Sequence, residues 1–548
     1  MILTKPGRTV SFSACARLLS ILIILTAAVA GLAGRLAGRG RSLWLDEAWV
    51  ANASLTSQWT GLLWYGDWLA MPPPGFLILS RLSVMGLGLS ERSFRLLPLT
   101  GSLLAVWWMW LVTRHVLSWP SRALALALLL LSPVAVEYAT TYKQYGIELA
   151  VAALLFYLSV LCQRDLTRKR TVVLLLALFP ATLIAYPVVF LLPGIAIPLL
   201  TGMRDGAPAP VRARFRAALA VLLAGGGIFG VMYALVIRTN MDAGLRVFFA
   251  PGRETRGMAG LISRIAGSLW DPFANLPLPP AIRERPLLIL CGIVGLAMIT
   301  FVVTLLSWRE GQVNCLWLAG LAPCLVVAVA GGLDLFPVLA RTSLFLLPGL
   351  VLFICVSLEL LGEAWRSRKT RPWPRRLPDV MVLGLALCAL ATGIQARRSV
   401  DLSVPNEDAA AAVRFLREEA RNTGILFVHA SAAEQFRLYQ RILDYHPRTV
   451  LFGETGRPCC LRGGKSPAGA STMEQVREDL SRLLPVVPRE RLFVMHTLRP
   501  GHWAYTGLDE GAALGEILGR RGCHEVLRKD WTGMGVRGYE CDPAREKH

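Results

Sequence analysis

GFLILSRLSVMGLGLS, Gly75 to Ser90, decides how this chain is threaded. The stretch is apolar, yet it follows three prolines and carries Arg81 near its centre. A spanning helix needs roughly 20 mostly apolar residues, so this one is short for the task. Were it to cross a membrane, every later loop would change sides. Treated as non-spanning, the basic loops RHVLSWPSR (114–122), QRDLTRKR (163–170), RDGAPAPVRARFR (204–216) and RSRKTRPWPRR (366–376) fall on one side, together with the basic residues 1–17. Lysine and arginine accumulate on the cytoplasmic side, which names that side. Treated as spanning, the same loops would face outward. The stretch is therefore expected to lie in the outer interface, with the N-terminus inside.

The rest of the chain agrees with a membrane setting. It has 548 residues, 54% hydrophobic and 17% charged, with mean hydropathy +0.49, far too apolar for a soluble protein of this length. Its net charge of +21 sits in short stretches between apolar runs, so nucleic acid is set aside as a partner. Spans are expected at Leu18 to Gly34, Leu96 to Thr113, Ala123 to Tyr142, Ile147 to Gln163, Ala217 to Ile237, Leu287 to Trp308, Val313 to Leu333, Thr342 to Leu358 and Val380 to Ala396. Two more come from Thr171 to Met203, which is too long for one span and turns at Ala185 to Pro187. The expectation is a mainly α, multi-pass protein of about eleven transmembrane helices. A cleaved signal peptide at TAAVAGLAG is the rival reading of the first run, but that run is long and more spans follow.

Residues 1–396 then form the membrane module, with outer loops 35–95 and 238–286, and residues 397–548 an extracytoplasmic domain. In that domain DAAAAVRFLREEA, AAEQFRLYQRI and STMEQVREDLSRLL read as helices, and ILFVHA, TVLFGE and RLFVMH as strands. Such alternation predicts a small α/β fold with a largely parallel sheet. No GxGxxG or P-loop spacing occurs, so no nucleotide is assigned. Cys459, Cys460, Cys523 and Cys541 permit disulfides outside the cytoplasm without fixing their pairing. The other seven cysteines lie in or beside apolar runs and read as packing residues.

Chemistry is expected on the outer side. RSLWLDEAWV (41–50) places Asp46 and Glu47 between tryptophans at the membrane surface. A carboxylate in a partly dry interface rises toward a useful general-base value. Acids are equally at home in the first turn of a helix, which EAWVANASL could begin. A hard divalent cation also suits paired carboxylates, although no further oxygen ligands are evident. Lys143, between Tyr142 and Tyr145 on an outer turn, breaks the positive-inside trend and asks for an anionic partner. Glu137 and Glu148 flank it and either neutralise it or, for Glu137, bind substrate. Arg92 and Arg95 read as interfacial snorkelling residues or as phosphate ligands. Arg238, Arg246, Arg253 and Arg256 are further cations on a long loop, and Asp67 reads as a turn residue before the prolines rather than as a second acid of the first outer loop. The histidines show no ligand spacing.

Taken in order, WLDEAW, then GDWLAMPPPGFLILSRL, then LSERSFRLLPLTGSLLA, then SPVAVEYATTYKQYGIELA (132–150), then VLARTSLFLLPGL (338–350), the chain resembles the GT-C membrane glycosyltransferases. It looks most like the branch of protein O-mannosyltransferases and lipid A aminoarabinose transferases. The resemblance covers roughly Leu18 to Leu360. That family has an acidic pair after its first span, a proline step into a juxtamembrane helix, and an Arg-Leu-Pro start to its second span, matched here by Arg95, Leu96, Leu97 and Pro98. Two departures stand out: Pro72 occupies the place of a histidine that many relatives carry, and Lys143 that of an arginine before Tyr145. Lysine keeps the charge but lacks the bidentate fork.

The resemblance implies a multi-pass protein of the inner membrane that transfers a sugar from a polyprenyl-phosphate donor to a lipid, glycan or protein acceptor on the outer face. It implies Asp46, with Glu47, as the catalytic acids. For the lipid phosphate and substrate it implies Arg95, Lys143, Tyr145, Glu137, Arg341 and Arg246. A flippase for a lipid-linked saccharide is one rival, but it would want charges deep in the spans and an internal repeat. A non-catalytic assembly protein on the same fold is the other.

Overall fold

The structure, a computed structural model, describes residues 12–56, 58–64, 71–201, 210–240, 258–309, 315–367, 375–398, 404–420, 425–429, 432–452, 491–498 and 510–542. Its helices in chain order are α1 (Phe12–Ala37), α2 (Leu45–Ser54), α3 (Pro74–Leu87), α4 (Glu91–Val116), α5 (Trp119–Leu130), α6 (Pro133–Glu137), α7 (Tyr145–Arg164), α8 (Arg168–Ile184), α9 (Val188–Leu200) and α10 (Val211–Met232). They continue with α11 (Met258–Phe273), α12 (Pro286–Arg309), α13 (Leu316–Gly332), α14 (Leu347–Ser367), α15 (Leu377–Arg398), α16 (Ala409–Glu419), α17 (Ala433–Ile442) and α18 (Glu510–Arg520). The strands are β1 (Ile425–Val428), β2 (Val450–Phe452), β3 (Leu492–Thr497), β4 (Cys523–Trp531) and β5 (Met534–Cys541).

Among the described residues, seven helical stretches are long and apolar enough to cross a membrane, and the protein is multi-pass. They are Ser13–Ala37, Glu91–Val116, Tyr145–Arg164, Val211–Asn240, Pro286–Leu306, Leu344–Ser367 and Leu377–Arg398. Shorter apolar helices occupy Trp119–Leu130, Val188–Leu200 and Leu316–Gly332. Helix α3 has 14 residues. At about 1.5 Å rise per residue it is roughly 21 Å long, well short of a hydrocarbon core of about 30 Å. It starts where Pro74 supplies the fixed φ that suits a first helical turn.

One expected span is broken. Ala123 to Tyr142 is not one helix: α5 stops at Leu130, and Ser132, which caps Ala135 N–H, starts the short α6 with Pro133 at its first position. Proline has no N–H to continue the ladder, so the break is written in Ser132–Pro133. The carbonyls freed at the end of α5 are taken up by Arg35, whose buried guanidinium donates to Leu130 O (2.7 Å), Leu129 O (3.4 Å) and Ser102 Oγ (2.8 Å). A cation at a helix C-terminus is favoured by the helix dipole as well as by these bonds.

The chain divides into two compact units. The first comprises Met1–Ala37, Leu97–Met232 and Gly252–Asp401. There α5 is buried nearly all round, against α1, α14 and α15, while α9 packs on α7, α10 and α13. Outward faces such as Leu287, Met298 and Phe301 of α12 stay exposed, as hydrocarbon-facing side chains should.

The second unit comprises Gly38–Leu96, Tyr233–Pro251 and Leu402–His548. Its sheet has the order β2-β1-β3-β5-β4. The three strands read from the sequence, β1, β2 and β3, are parallel neighbours, β1 and β3 buried through residues such as Phe427 and Val494. The sheet is nevertheless mixed, because β5 runs antiparallel to both β3 and β4. That hairpin turns at Gly533, where φ is +67°, and is closed at its open end by a Cys523–Cys541 disulfide. The expected helix STMEQVREDLSRLL, Cys459 and Cys460 lie outside the described residues.

Candidate active site

Asp46 and Glu47 open α2, so both readings of the pair, helix start and site, describe the same place. Their environments differ. Glu47 is fully buried, whereas Asp46 is only half-buried. Glu47 accepts from the N–H of Trp44 (Oε2, 3.3 Å) and from Arg95 Nη2 (3.3 and 3.1 Å to its two oxygens). Arg95, itself buried, also donates to Ser42 O (3.2 Å) and to Arg41 O. The guanidinium thus ties α4 to the backbone that leads into the acid pair. A charged pair so far from water is tolerable only because these extra bonds satisfy it.

The same backbone is held from the other side. Leu43 N–H and Ser42 Oγ donate to the phenol oxygen of Tyr439 on α17 (2.7 and 3.1 Å), and Ala410 N–H of α16 donates to Ser42 Oγ (3.1 Å). Leu45 N–H donates to Glu407 Oε2 (2.8 Å), which also accepts from Gln435 Nε2 (2.7 Å). Further along α2, Asn52 Nδ2 donates to the carbonyl and carboxylate of Glu434 (3.0 and 3.1 Å), and Glu434 pairs with Arg437 at 2.8 Å. Burial, and next the charge of Glu91, raises the Tyr439 phenol above its ordinary value, so it stays neutral. Burial likewise raises the Glu434 carboxyl, with Arg437 and Asn52 pulling it back. Helix α3 joins this unit through Arg81, which donates to Thr56 O (2.8 Å) and stands 4.3 Å from the Trp59 ring centre.

Of the remaining candidates, Glu137, Lys143, Tyr145, Glu148 and Arg341 belong to the first unit, and Arg92 and Arg238 to the second. Lys143 is buried on the loop between α6 and α7, where its N–H donates to Thr141 O (2.8 Å). Tyr145 opens α7, its ring edge-on to Tyr138 at 5.0 Å. Glu137 ends α6 with an exposed side chain, its carbonyl accepting from the hydroxyls of Thr140 and Thr141. Glu148 is buried in the first turn of α7, and Arg341 is half-buried ahead of α14. Arg92 and Arg238 are exposed. Asp67, Arg246, Arg253 and Arg256 lie outside the described residues. Among the described residues no three His, Cys, Asp or Glu side chains converge as a metal site.

The chain is similar to the crystal structure of ArnT from Cupriavidus metallidurans in the apo state, at 12% identity and TM-score 0.50, over 95% of this chain and 97% of that one. The fold is GT-C. Other solved structures that match are the same ArnT bound to undecaprenyl phosphate (13% identity, 96% and 98% covered, TM-score 0.48) and the Archaeoglobus fulgidus oligosaccharyltransferase in its apo form (12%, 95% and 74%, TM-score 0.47). No family model matches the chain, and no curated protein matches it. Ser42, Glu407, Gln435 and Tyr439 surround the backbone that leads into the acid pair, and sequence reasoning missed them. Gln435 and Tyr439 did leave a trace: they lie four apart on the buried face of AAEQFRLYQRI, where polar groups ask for partners. Nothing in the sequence says that Gln435 meets Glu407, 28 residues earlier, or that Tyr439 meets Leu43 and Ser42, 396 and 397 residues earlier.

Proposed function

We propose that the chain is an inverting glycosyltransferase that moves a sugar from a polyprenyl-phosphate-linked donor to a lipid, glycan or protein acceptor on the outer face of the inner membrane. What supports the reading is the fold shared with ArnT together with the burial of the acid pair: Glu47 is fully buried against Arg95, while Asp46 beside it is half-buried. A general base must reach the proton it takes. Asp46 takes the proton of the acceptor hydroxyl as that oxygen attacks the anomeric carbon. The bond from that carbon to the phosphate oxygen breaks on the opposite face, its electron pair leaves with the lipid phosphate, and configuration inverts.

The leaving phosphate needs cations where its charge grows. Lys143, with Tyr145 beside it, and Arg341 are proposed for that role, with Arg246 joining them and Glu137 binding substrate. Arg95 and Glu47 hold the backbone that carries Asp46. A divalent cation, if used, would be held by the carboxylates of Asp46 and Glu47. Undecaprenyl phosphate is bound by the ArnT that matches this fold, and a polyprenyl phosphate is the carrier proposed here. The Cys523–Cys541 disulfide supports an oxidising, extracytoplasmic place for the C-terminal domain, and hence a cytoplasmic N-terminus.

Transfer of radiolabelled sugar from polyprenyl-phosphate donors, in membranes holding wild type or Asp46→Asn, tests the reading. The expected result is transfer by wild type and a loss of at least about 100-fold in the variant, the low end of what positioned proton transfer supplies. Equal transfer by both removes Asp46 as the base. Failure of wild type with every donor favours the flippase reading.

A further inference from the structure

Asp46 is preceded by a backbone that is pinned at nearly every step, and much of the pinning comes from the C-terminal part of the chain. Leu43 N–H and Ser42 Oγ end on Tyr439, Ser42 Oγ accepts from Ala410, and Leu45 N–H ends on Glu407. Tyr439 and Glu407 are both fully buried. At the start of α2 the helix's own Glu47 accepts from Trp44 N–H, but Trp44, whose ring only donates, offers no acceptor to the first turn. The next N–H, that of Leu45, is met by Glu407 from 362 residues away, with Gln435 holding its carboxylate. A buried carboxylate and a buried phenol are costly ways to stabilise a fold, and apolar side chains of like shape would serve stability as well. What a satisfied polar network adds is one defined backbone placement.

We propose that Tyr439 and Glu407 are positioning residues for Asp46: the C-terminal domain sets the place of the general base by fixing residues 42–45. The inference rests on the reading of Asp46 as the base. It makes the domain part of the reaction apparatus. A displacement of about 1 Å in a catalytic group costs on the order of 100-fold in rate.

The experiment compares full-length wild type, Tyr439→Phe, Glu407→Ala, Glu407→Gln and Asp46→Asn, purified into phospholipid vesicles with a polyprenyl-phosphate sugar. It reads kcat, donor KM and amide hydrogen exchange of the peptide 41–50. Tyr439→Phe and Glu407→Ala should each lower kcat about 10- to 100-fold with donor KM within about twofold, the signature of lost alignment rather than lost binding. Glu407→Gln, which keeps an oxygen for Leu45 N–H, should stand about tenfold above Glu407→Ala. Exchange across 41–50 should speed up in Tyr439→Phe and Glu407→Ala.

Unchanged kcat in both of those variants while Asp46→Asn is inactive overturns the positioning role and leaves the base reading intact. A raised KM at unchanged kcat overturns it in favour of donor binding. Transfer by Asp46→Asn at the wild-type rate sinks the base reading and this role with it, whatever the exchange data show. If Tyr439→Phe loses its fold, the pair at position 407 decides: equal kcat in Glu407→Ala and Glu407→Gln overturns the proposal.

Discussion

Asp46 and Glu47 are neighbours in sequence with divided labour. Glu47 neutralises Arg95 in a site that water does not reach, and Arg95 in turn holds the carbonyls of Arg41 and Ser42. Breaking such a pair leaves one buried charge uncompensated, a loss of about 3–5 kcal/mol. Glu47→Gln is therefore expected to lower the thermal unfolding midpoint of the detergent-solubilised protein clearly. Arg95→Lys should lower it too, because an ammonium on a flexible stem replaces the planar fork that serves Glu47 and two carbonyls together. An unchanged midpoint in both variants would show that the pair does not carry the turn. The acids themselves were legible as residue types at a membrane surface. Which of the two stays accessible was not, because burial depends on Arg95, 48 residues on.

Helices in this protein are joined by close approaches that only glycine allows. A Cβ added to Gly101 of α4 would stand 2.6 Å from Gly146 O of α7, and one added to Gly146 would stand 2.5 Å from Pro98 O. Both obstacles are backbone and cannot swing away. Small residues let apolar helices pack where no water drives them together. Gly146→Leu should force α4 and α7 apart and cost at least the 1–3 kcal/mol or so typical of overpacking, whereas Gly384→Ala, with nothing within 4 Å, should be tolerated. Thermal unfolding of both variants checks this, and equal midpoints would contradict it. Apolar runs announced nearly all of these helices. The break in the third expected span was also spelled out, in Ser132–Pro133, but a run of leucines and alanines masked it.

For the molecule as a whole, the side of the membrane is the open quantity that charge asymmetry argues. A secretion-dependent reporter fused after Arg397 is expected to be active, and activity only of a cytoplasmic reporter at that point would reverse the orientation. The disulfide belongs to the same scale. Cys523→Ser opens a loop whose ends are 18 residues apart. It should cost about 3 kcal/mol, read as a lower unfolding midpoint that wild type also shows after reduction. The hairpin that this bridge closes escaped the sequence reading for a physical reason. Strand β4, CHEVLRKDW, is an edge strand exposed along most of its length, and β5 carries two glycines, so neither shows an apolar alternation.

By itself the sequence determined that this is a multi-pass membrane protein with a short apolar helix after its three prolines, an acid pair between its first two long apolar helices and an α/β region toward its C-terminal end. Apolar length and charge asymmetry act locally along the chain and survive as pattern. Tertiary structure decided that Glu47 is spent on Arg95, that Glu407 and Tyr439 hold the turn before Asp46, and that the parallel strands are completed by an antiparallel hairpin. Those contacts join residues 37 to 397 positions apart. A hydrogen-bond partner over such a distance is fixed by the fold and leaves no periodic trace in the order of residues.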